Sequence, residues 1–240
     1  MPASRTTATL VGGRLRRTET SPADVADAVA AARVALPGWS SASAHDPGRV
    51  LYGVAELLDA QRDRFTSSAE SVDAAVDRWV WFAGWTDKIA GVLGSVNPVA
   101  GPYASWSAPR PLGMVGALAP GSLLGLVEVL APVLVTGSTA VVVAERGHTT
   151  SALAELLAVA DLPAGVANLV TGDVIKLGPE LGRAGVDGLD LDAAPAEVSA
   201  ELDRAAAQTL TRVLPPGAAD ELVRLTAWSD LITVWQPIGR

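Results

Sequence analysis

The feature of this sequence that most restricts its possible folds is the alternation of two segment types after Pro111. Short apolar or β-branched runs, which predict buried strands, lie at residues 114–119, 139–143, 166–170 and 186–191. Segments with apolar residues at helical spacing separate them, at residues 123–134, 149–159 and 174–183. Alternation of strands and helices with short connections is typical of βαβ units. The sequence therefore predicts an α/β fold with a parallel sheet.

Changes in periodicity and in proline and glycine content divide the whole chain into segments. The predicted segments are a flexible arm (1–20), a helical part (21–95), an extended hairpin (96–110), the α/β part (111–212) and a linker with a C-terminal strand (213–240). In the helical part, Ser21-Pro22 is a start signal, Pro37-Gly38 predicts a helix end, and residues 68–89 predict a third helix. Residues 193–212 predict one further helix near the end of the α/β part.

Composition excludes several classes of protein. A net charge of -8 and a pI near 4.7 disfavour binding to nucleic acid or anionic membranes, which need clustered Lys and Arg. The absence of cysteine excludes a thiolate nucleophile, a disulfide framework and Cys-ligated zinc. The longest apolar run, residues 123–135, is shorter than the ~20 residues of a membrane span. With no apolar signal core at the N-terminus, we expect a soluble, cytoplasmic protein.

Two sets of polar residues are candidates for metal binding or acid–base chemistry. Asp187, Asp190 and Asp192 lie on or beside a predicted strand, where alternation puts only Asp190 and Asp192 on one face. Hard cations want six or more oxygens, so a solvated end of the sheet is the favoured interpretation. His45 and His148 lie in polar turns far apart in the sequence and are predicted to be surface residues. The sequence predicts no metal site.

Several motifs resemble those of the aldehyde dehydrogenase superfamily, in the same order along the chain. They are WFAGWTDKIAG at 81–91, PRPLGMVGALAP at 109–120, APVLVTGSTAVVV at 131–143 and LPAGVANLVTGD at 162–173. The resemblance covers residues 25–190, and TAWSDLITVW at 226–235 is similar to the family's C-terminal strand. It implies N-terminal helices, a Rossmann-like parallel sheet of the aldehyde dehydrogenase type and a small β element that joins subunits. That oligomerisation element corresponds to the hairpin and the C-terminal strand.

The resemblance also indicates where a nucleotide would bind, and there the sequence departs from the family. Pro120 begins the loop after the first strand, but Ser122 stands near the place of the asparagine that helps to form the oxyanion hole. Val143 replaces the lysine that contacts the adenosine ribose. Glu145 and Gly172 are the other vestigial positions. We therefore expect no bound cofactor, or NAD held only weakly.

The family's catalytic machinery has no counterpart in this sequence. The resemblance implies aldehyde oxidation through a cysteine thiolate, and neither that cysteine nor the glutamate of the family's E-L-G-G-K motif has a counterpart here. The segment that would hold the catalytic domain is nearly absent between the two resembling stretches. Asp190 and Asp192 are expected to repel a phosphate at the neighbouring helix N-terminus.

These observations leave three functional hypotheses. The favoured one is a catalytically inactive subunit that joins a full-length aldehyde dehydrogenase through its β element. The alternatives are an NAD-dependent half-enzyme whose site a partner completes, and a standalone homodimeric binding module. The predicted interface residues are aromatic or β-branched: Tyr103, Trp106, Ile232, Val234 and Trp235.

Overall fold

Two β-sheets of different size organise the protein. The computed structural model describes residues 7–17, 19–65, 72–217 and 220–238. The strands are β1 (Thr9–Val11), β2 (Arg14–Arg16), β3 (Ser95–Val96), β4 (Tyr103–Pro111), β5 (Met114–Ala119), β6 (Thr139–Glu145), β7 (Ala167–Gly172), β8 (Gly188–Asp190), β9 (Arg212–Leu214) and β10 (Ser229–Pro237). The helices are α1 (Pro22–Ser40), α2 (His45–Ala60), α3 (Val72–Ala83), α4 (Ile89–Leu93), α5 (Leu123–Val135), α6 (His148–Val159), α7 (Val174–Arg183), α8 (Ala196–Thr209) and α9 (Glu221–Ala227).

The larger sheet confirms the predicted α/β architecture. Its strand order is β2-β1-β7-β6-β5-β8-β9, and the five strands from β7 to β9 are parallel. Helices α2, α3, α5 and α6 supply the core on one face, whereas α1, α7 and α8 cover the other. The central strands β5, β6 and β7 are almost entirely buried, as expected for parallel strands with helices on both faces.

A β-hairpin occupies residues 9–16 of the predicted flexible arm, so that prediction is wrong for this part of it. Strands β1 and β2 pair antiparallel, and β1 extends the larger sheet through the pair Leu10 and Leu169. Gly12 and Gly13 form the turn with φ values of 57° and 75°, the left-handed geometry that tight hairpins favour. Residues 1–6 and 18 lie outside the described residues.

One predicted helix ends later than expected, and another is divided into two helices. Helix α1 passes through Pro37 and ends at Ser40, not at Pro37-Gly38. Tertiary contact supports this last turn, because the buried Trp39 donates its indole N–H to the Leu134 carbonyl at 3.1 Å. The predicted helix 68–89 begins within residues 66–71, which lie outside the described residues, and its described part is α3, a turn, and the start of α4.

The last predicted helix ends before residue 212, and a short strand follows it. Residues 193–212 contain α8, which ends at Thr209, and then Leu210 adopts a φ of 57° that stops the helix. The chain continues as β9, so the predicted boundary between residues 212 and 213 cuts through this strand. The segment 213–240 also contains α9, at the place where the sequence predicts a short helix or turn over residues 222–228.

The smaller sheet holds the predicted oligomerisation element. Its order is β10-β4-β3, and β10 pairs with β4 over nine residue pairs, from Ser229 with Pro111 to Pro237 with Tyr103. The C-terminal strand is therefore not bare, because its own chain supplies one neighbour. From here on, the arm means this three-stranded sheet and not the flexible segment predicted at residues 1–20. No helix within the described residues is long and apolar enough to cross a membrane.

Candidate functional site

The carboxyl ends of the parallel strands meet at one edge of the larger sheet, which is where α/β sheets bind ligands. A cleft of about 520 Å³ lies at this edge, and we call it the strand-end cleft. Its lining residues are Glu19, Glu145, Arg146, Gly172, Asp173, Val174, Ile175, Lys176 and Pro195. They come from the ends of β6 and β7, the start of α7, the turn before α8 and the segment that follows the N-terminal hairpin.

The structure brings only two of the five predicted nucleotide positions into this cleft. Glu145 and Gly172 line it. Val143 is fully buried in the core beneath α1 and α7, so its side chain belongs to the packing of the sheet. Pro120 and Ser122 follow β5 and lie outside the lining of the cleft. Ser122 caps α5, where its hydroxyl accepts the Gly125 N–H at 3.3 Å.

Charge in the cleft does not favour an anion. Three carboxylates, those of Glu19, Glu145 and Asp173, face the two cations Arg146 and Lys176, and Lys176 already pairs with Asp173 at 3.4 Å. Asp173 also caps α7, accepting the backbone N–H groups of residues 175 and 176 at 3.1 and 3.3 Å. These N–H groups are the ones that bind phosphate at a free helix N-terminus, and here a carboxylate of the protein uses them.

Titration of Asp173 reflects the same contacts. Desolvation raises the pKa of its carboxyl, but the hydrogen bonds and charge of Lys176 and the N–H of Ile175 outweigh it and hold the pKa below its usual range. The carboxyl is therefore ionised at neutral pH. An anionic ligand at the start of α7 would meet this negative charge.

The prediction of a solvated sheet end is wrong at Asp190, which the structure buries together with its contact to Arg224. Asp190 is fully buried, and Arg224 of α9 binds it with one guanidinium nitrogen and Asp192 with the other, the latter at 2.5 Å. Burial raises the pKa of the Asp190 carboxyl, and the charge of Arg224 opposes that rise. Because Arg224 binds both carboxylates and offsets part of their negative charge, they repel a nearby phosphate less than the sequence alone suggested.

The described residues do not assemble a recognisable catalytic group. Among the described residues, the Ser122 hydroxyl has a capping contact and no base beside it, and a serine nucleophile needs an adjacent base. His148 lies outside the cleft, where Nε2 contacts the Arg64 carbonyl at 2.8 Å. In the described parts of the chain, no three His, Cys, Asp or Glu side chains are grouped to hold a metal ion.

The predicted interface residues all lie on the arm but are divided between its two faces, because successive side chains of a strand point to opposite faces. Val234 lies opposite Trp106 across the two strands, and the rings of Tyr103 and Trp235 meet edge to face with centroids 6.4 Å apart. Ile232 completes the predicted set, and all but Val234 are exposed. Within the described residues, each face of the arm therefore exposes two members of the set, Tyr103 and Trp235 on one face and Trp106 and Ile232 on the other.

Sequence reasoning missed the residues that decide the electrostatics of this edge. Asp173 directly follows a predicted strand and precedes a predicted helix, so its capping role had a readable signal. Arg224 had none, because it lies 34 residues from Asp190 and the strand between them is too short to show a pattern.

The comparisons with known proteins all indicate the same family. A model of the aldehyde dehydrogenase family matches residues 14–214. The chain is 31% identical to aldehyde dehydrogenase 1A1 of Macaca fascicularis, over 72% of this chain and 37% of that protein. It is also 31% identical to the mitochondrial aldehyde dehydrogenase of Rattus norvegicus, over 70% of this chain and 35% of the relative. The chain thus spans 35–37% of the length of these curated relatives.

Solved structures agree on the fold. The NAD+ complex of an aldehyde dehydrogenase from Bacillus cereus is similar with a TM-score of 0.75 at 19% identity, covering 87% of this chain and 50% of that one. An aldehyde dehydrogenase from Brucella melitensis biovar abortus 2308 gives a TM-score of 0.74 at 24% identity, over 89% and 51% of the two chains. The resemblance inferred from the motifs is confirmed.

Proposed function

Because the chain belongs to the aldehyde dehydrogenase family, we propose that it is a catalytically inactive member that serves as a structural or regulatory subunit beside a full-length member. The observation that carries this proposal is the combination of an exposed apolar arm with a sequence that contains no cysteine. Members of the family are NAD(P)-dependent oxidoreductases, and what this chain has kept is the part that can bind another subunit.

The chemistry of the family supports the absence of activity. Hydride transfer from an aldehyde requires a covalent thiohemiacetal, which a thiolate forms by attack on the carbonyl carbon. The developing oxyanion then needs fixed hydrogen-bond donors, and hydrolysis of the acyl group needs a positioned base. None of the 240 residues is a cysteine, and Ser122 lies at a helix cap without a base in contact.

The strand-end cleft does not fit a dinucleotide. A pyrophosphate wants an excess of positive charge, whereas carboxylates outnumber cations in the lining. Asp173 uses the first N–H groups of α7, and only the start of α8 lacks a side-chain cap among the two helices that begin at the cleft. Val143 places a buried methyl-bearing side chain where the family has a lysine. We propose that NAD binds weakly or not at all, and no step of the function depends on it.

The arm supports a docking role in two ways. First, β10 is an edge strand: among the described residues no strand pairs with its outer side, which leaves backbone donors and acceptors open. Second, proteins protect such edges with charge, and β10 has only one charged residue, Asp230. Arg110 and Arg212 both bind that carboxylate and lower its pKa, so its charge is compensated within the chain. Such an edge is suited to strand addition by a partner.

The proposal is tested by co-expression with a full-length aldehyde dehydrogenase and light scattering of the purified material. Leu231→Lys with Trp235→Lys places charge on two side chains that are 60% and 61% exposed, so the fold should survive while assembly is lost. Leu210→Lys is the matched control, because Leu210 is 92% exposed but lies on the turn between α8 and β9. Assembly by the double variant at the wild-type level would contradict the docking role of the arm.

A further inference from the structure

The backbone groups on the outer edge of β10 can be identified from its pairing with β4. Just before that pairing, the Leu112 N–H donates to the Trp228 carbonyl at 3.0 Å. Just after it, the Ile238 N–H donates to the Pro102 carbonyl at 2.8 Å, and both contacts keep the register of the ladder. Hydrogen-bonded and non-hydrogen-bonded pairs alternate between antiparallel strands. The even-numbered residues of β10 therefore bond to β4, and the odd-numbered residues direct their N–H and carbonyl groups outward.

The base of β10 agrees with this assignment. Ser229 is the first odd-numbered residue, and its carbonyl accepts a hydrogen bond from the Arg212 guanidinium at 2.8 Å, on the side away from β4. The outward groups of Leu231, Thr233 and Trp235 follow. Among the described residues, no backbone group outside the pairing with β4 forms a hydrogen bond with them. The edge thus has unpaired donors and acceptors at three alternate residues.

The sequence of β10 is complementary to itself when a second copy runs antiparallel about a twofold axis at Thr233. Residue 231 then lies opposite residue 235 of the second copy, and residue 233 lies opposite its own equivalent, so outward groups meet outward groups. On one face, Leu231 lies beside Trp235 of the second copy; the two are 60% and 61% exposed in the single chain. On the other face, Ile232 lies beside Val234. An axis at either of these neighbours would separate Leu231 from Trp235.

Charge does not oppose this register. Asp230 is the only charged residue of β10, and it would lie opposite Gln236 of the second copy. The two Asp230 carboxylates would then be at opposite ends of the paired strands. Arg110 and Arg212 of the same chain also bind that carboxylate, at 3.0 and 2.7 Å. No like charges on the two strands therefore face each other.

We propose that two copies of this chain associate by pairing β10 with β10 about the twofold axis at Thr233, which joins the two arms into one continuous sheet. Each hydrogen-bonded pair of residues exchanges two N–H···O bonds, and the exposed side chains of the edge gain apolar cover. The pairing is isologous, as in most twofold dimers, and it leaves no free edge at β10. This inference does not depend on the proposed function, although a full-length member that adds a strand to β10 would compete with the second copy.

Because the chain has no cysteine, a single engineered cysteine tests the register in the purified protein. The Cα atoms of a hydrogen-bonded pair are about 5.5 Å apart, within the range that a disulfide spans. Thr233→Cys should therefore form a cross-linked dimer under mild oxidation. Gln236→Cys is the control, because that exposed position of β10 would lie about 20 Å from its equivalent. We expect Thr233→Cys to cross-link at least about 10-fold faster than the control.

Light scattering of the purified chain measures the association without cysteines. Thr233→Pro removes the N–H donors at the axis and no bond to β4, so it should keep the fold, as judged by circular dichroism, and raise the dimer Kd on the order of 30-fold. Thr233→Val is the matched control, because it also loses the hydroxyl contact with Ser107 but keeps the N–H, and it should dimerise like the wild type.

Three results would overturn the inference. The first is a wild-type chain that is monomeric at about 100 μM. The second is equal cross-linking of the two cysteine variants, which would show random collision in place of a defined register. The third is a folded Thr233→Pro variant that dimerises with wild-type affinity. Should this variant fail to fold, the pair of cysteine variants decides the question.

Discussion

Asn168 fixes the N-terminal hairpin to the larger sheet and offers a quantitative test of that attachment. Its side chain is fully buried on β7. It accepts the Gly12 N–H at 2.9 Å and donates to the carbonyls of Ala140 and Gly165 at 3.2 and 2.8 Å. Replacement by alanine therefore removes three hydrogen bonds, of which the two to Ala140 and Gly165 are buried.

The expected loss in the free energy of unfolding follows from the number of hydrogen bonds removed and from their burial. Each hydrogen bond contributes about 1 kcal/mol net, and partners left unsatisfied in the interior add to the loss, so Asn168→Ala should lower the free energy of unfolding by at least about 3 kcal/mol. For a chain of this size each kcal/mol shifts the Tm by roughly 2–4 °C. Calorimetry should therefore show a Tm lowered by roughly 6–12 °C, and urea unfolding a lower midpoint.

Asn97 provides a matched control on the arm. It also makes three side-chain hydrogen bonds, to the hydroxyls of Ser95, Ser105 and Ser107, but the site is partly exposed. Water replaces these contacts on mutation, so Asn97→Ala should cost no more than about 0.5 kcal/mol. Equal losses for the two variants would refute the argument that the buried attachment of the hairpin carries this stability.

Three other predictions concern activity, cofactor and pH. The purified chain should show no NAD- or NADP-dependent aldehyde oxidation, and turnover that survives removal of all full-length enzyme would contradict the proposed inactivity. Calorimetric titration should give a Kd for NAD above ~1 mM; low-micromolar binding would favour the alternative of a half-enzyme completed by a partner. Burial alone raises the pKa of the Asp24 carboxyl, but hydrogen bonds from Ser21 and Arg16 lower it below its usual value. The stability gained from Asp24 is therefore complete above the unfolded pKa of about 3.9 and is lost as the pH falls through the folded value. Asp24→Asn should then destabilise the chain at pH 7 and cost progressively less in acid unfolding titrations, and a cost independent of pH would show that these contacts are not electrostatic.

The pattern of apolar residues was sufficient to predict the strands and helices that lie in the core. Residues 114–119 and 174–183 have the predicted ends, and the parallel order follows from their alternation with helices. The N-terminal hairpin was missed although Gly12-Gly13 between apolar residues is a hairpin signal. Its strands have three residues each, too few for periodicity to be recognised.

The candidate site was less accessible to sequence reasoning than the fold. The aldehyde dehydrogenase motifs gave Glu145 and Gly172, which do lie in the strand-end cleft, but they also gave Val143, which packs in the core. The charge of the cleft depends on residues from separate elements, such as Glu19 and Lys176. Spacing along the chain does not report which of these side chains share a cleft.

By itself, the sequence determined the family, the parallel sheet and the absence of a thiolate, because motifs, periodicity and composition are local properties of the chain. Tertiary structure alone decided that β10 pairs with β4 and that Arg224 compensates Asp190 and Asp192. These contacts join residues that are far apart in sequence. Their energies depend on burial and desolvation, which exist only once the sheet and its helices have packed together.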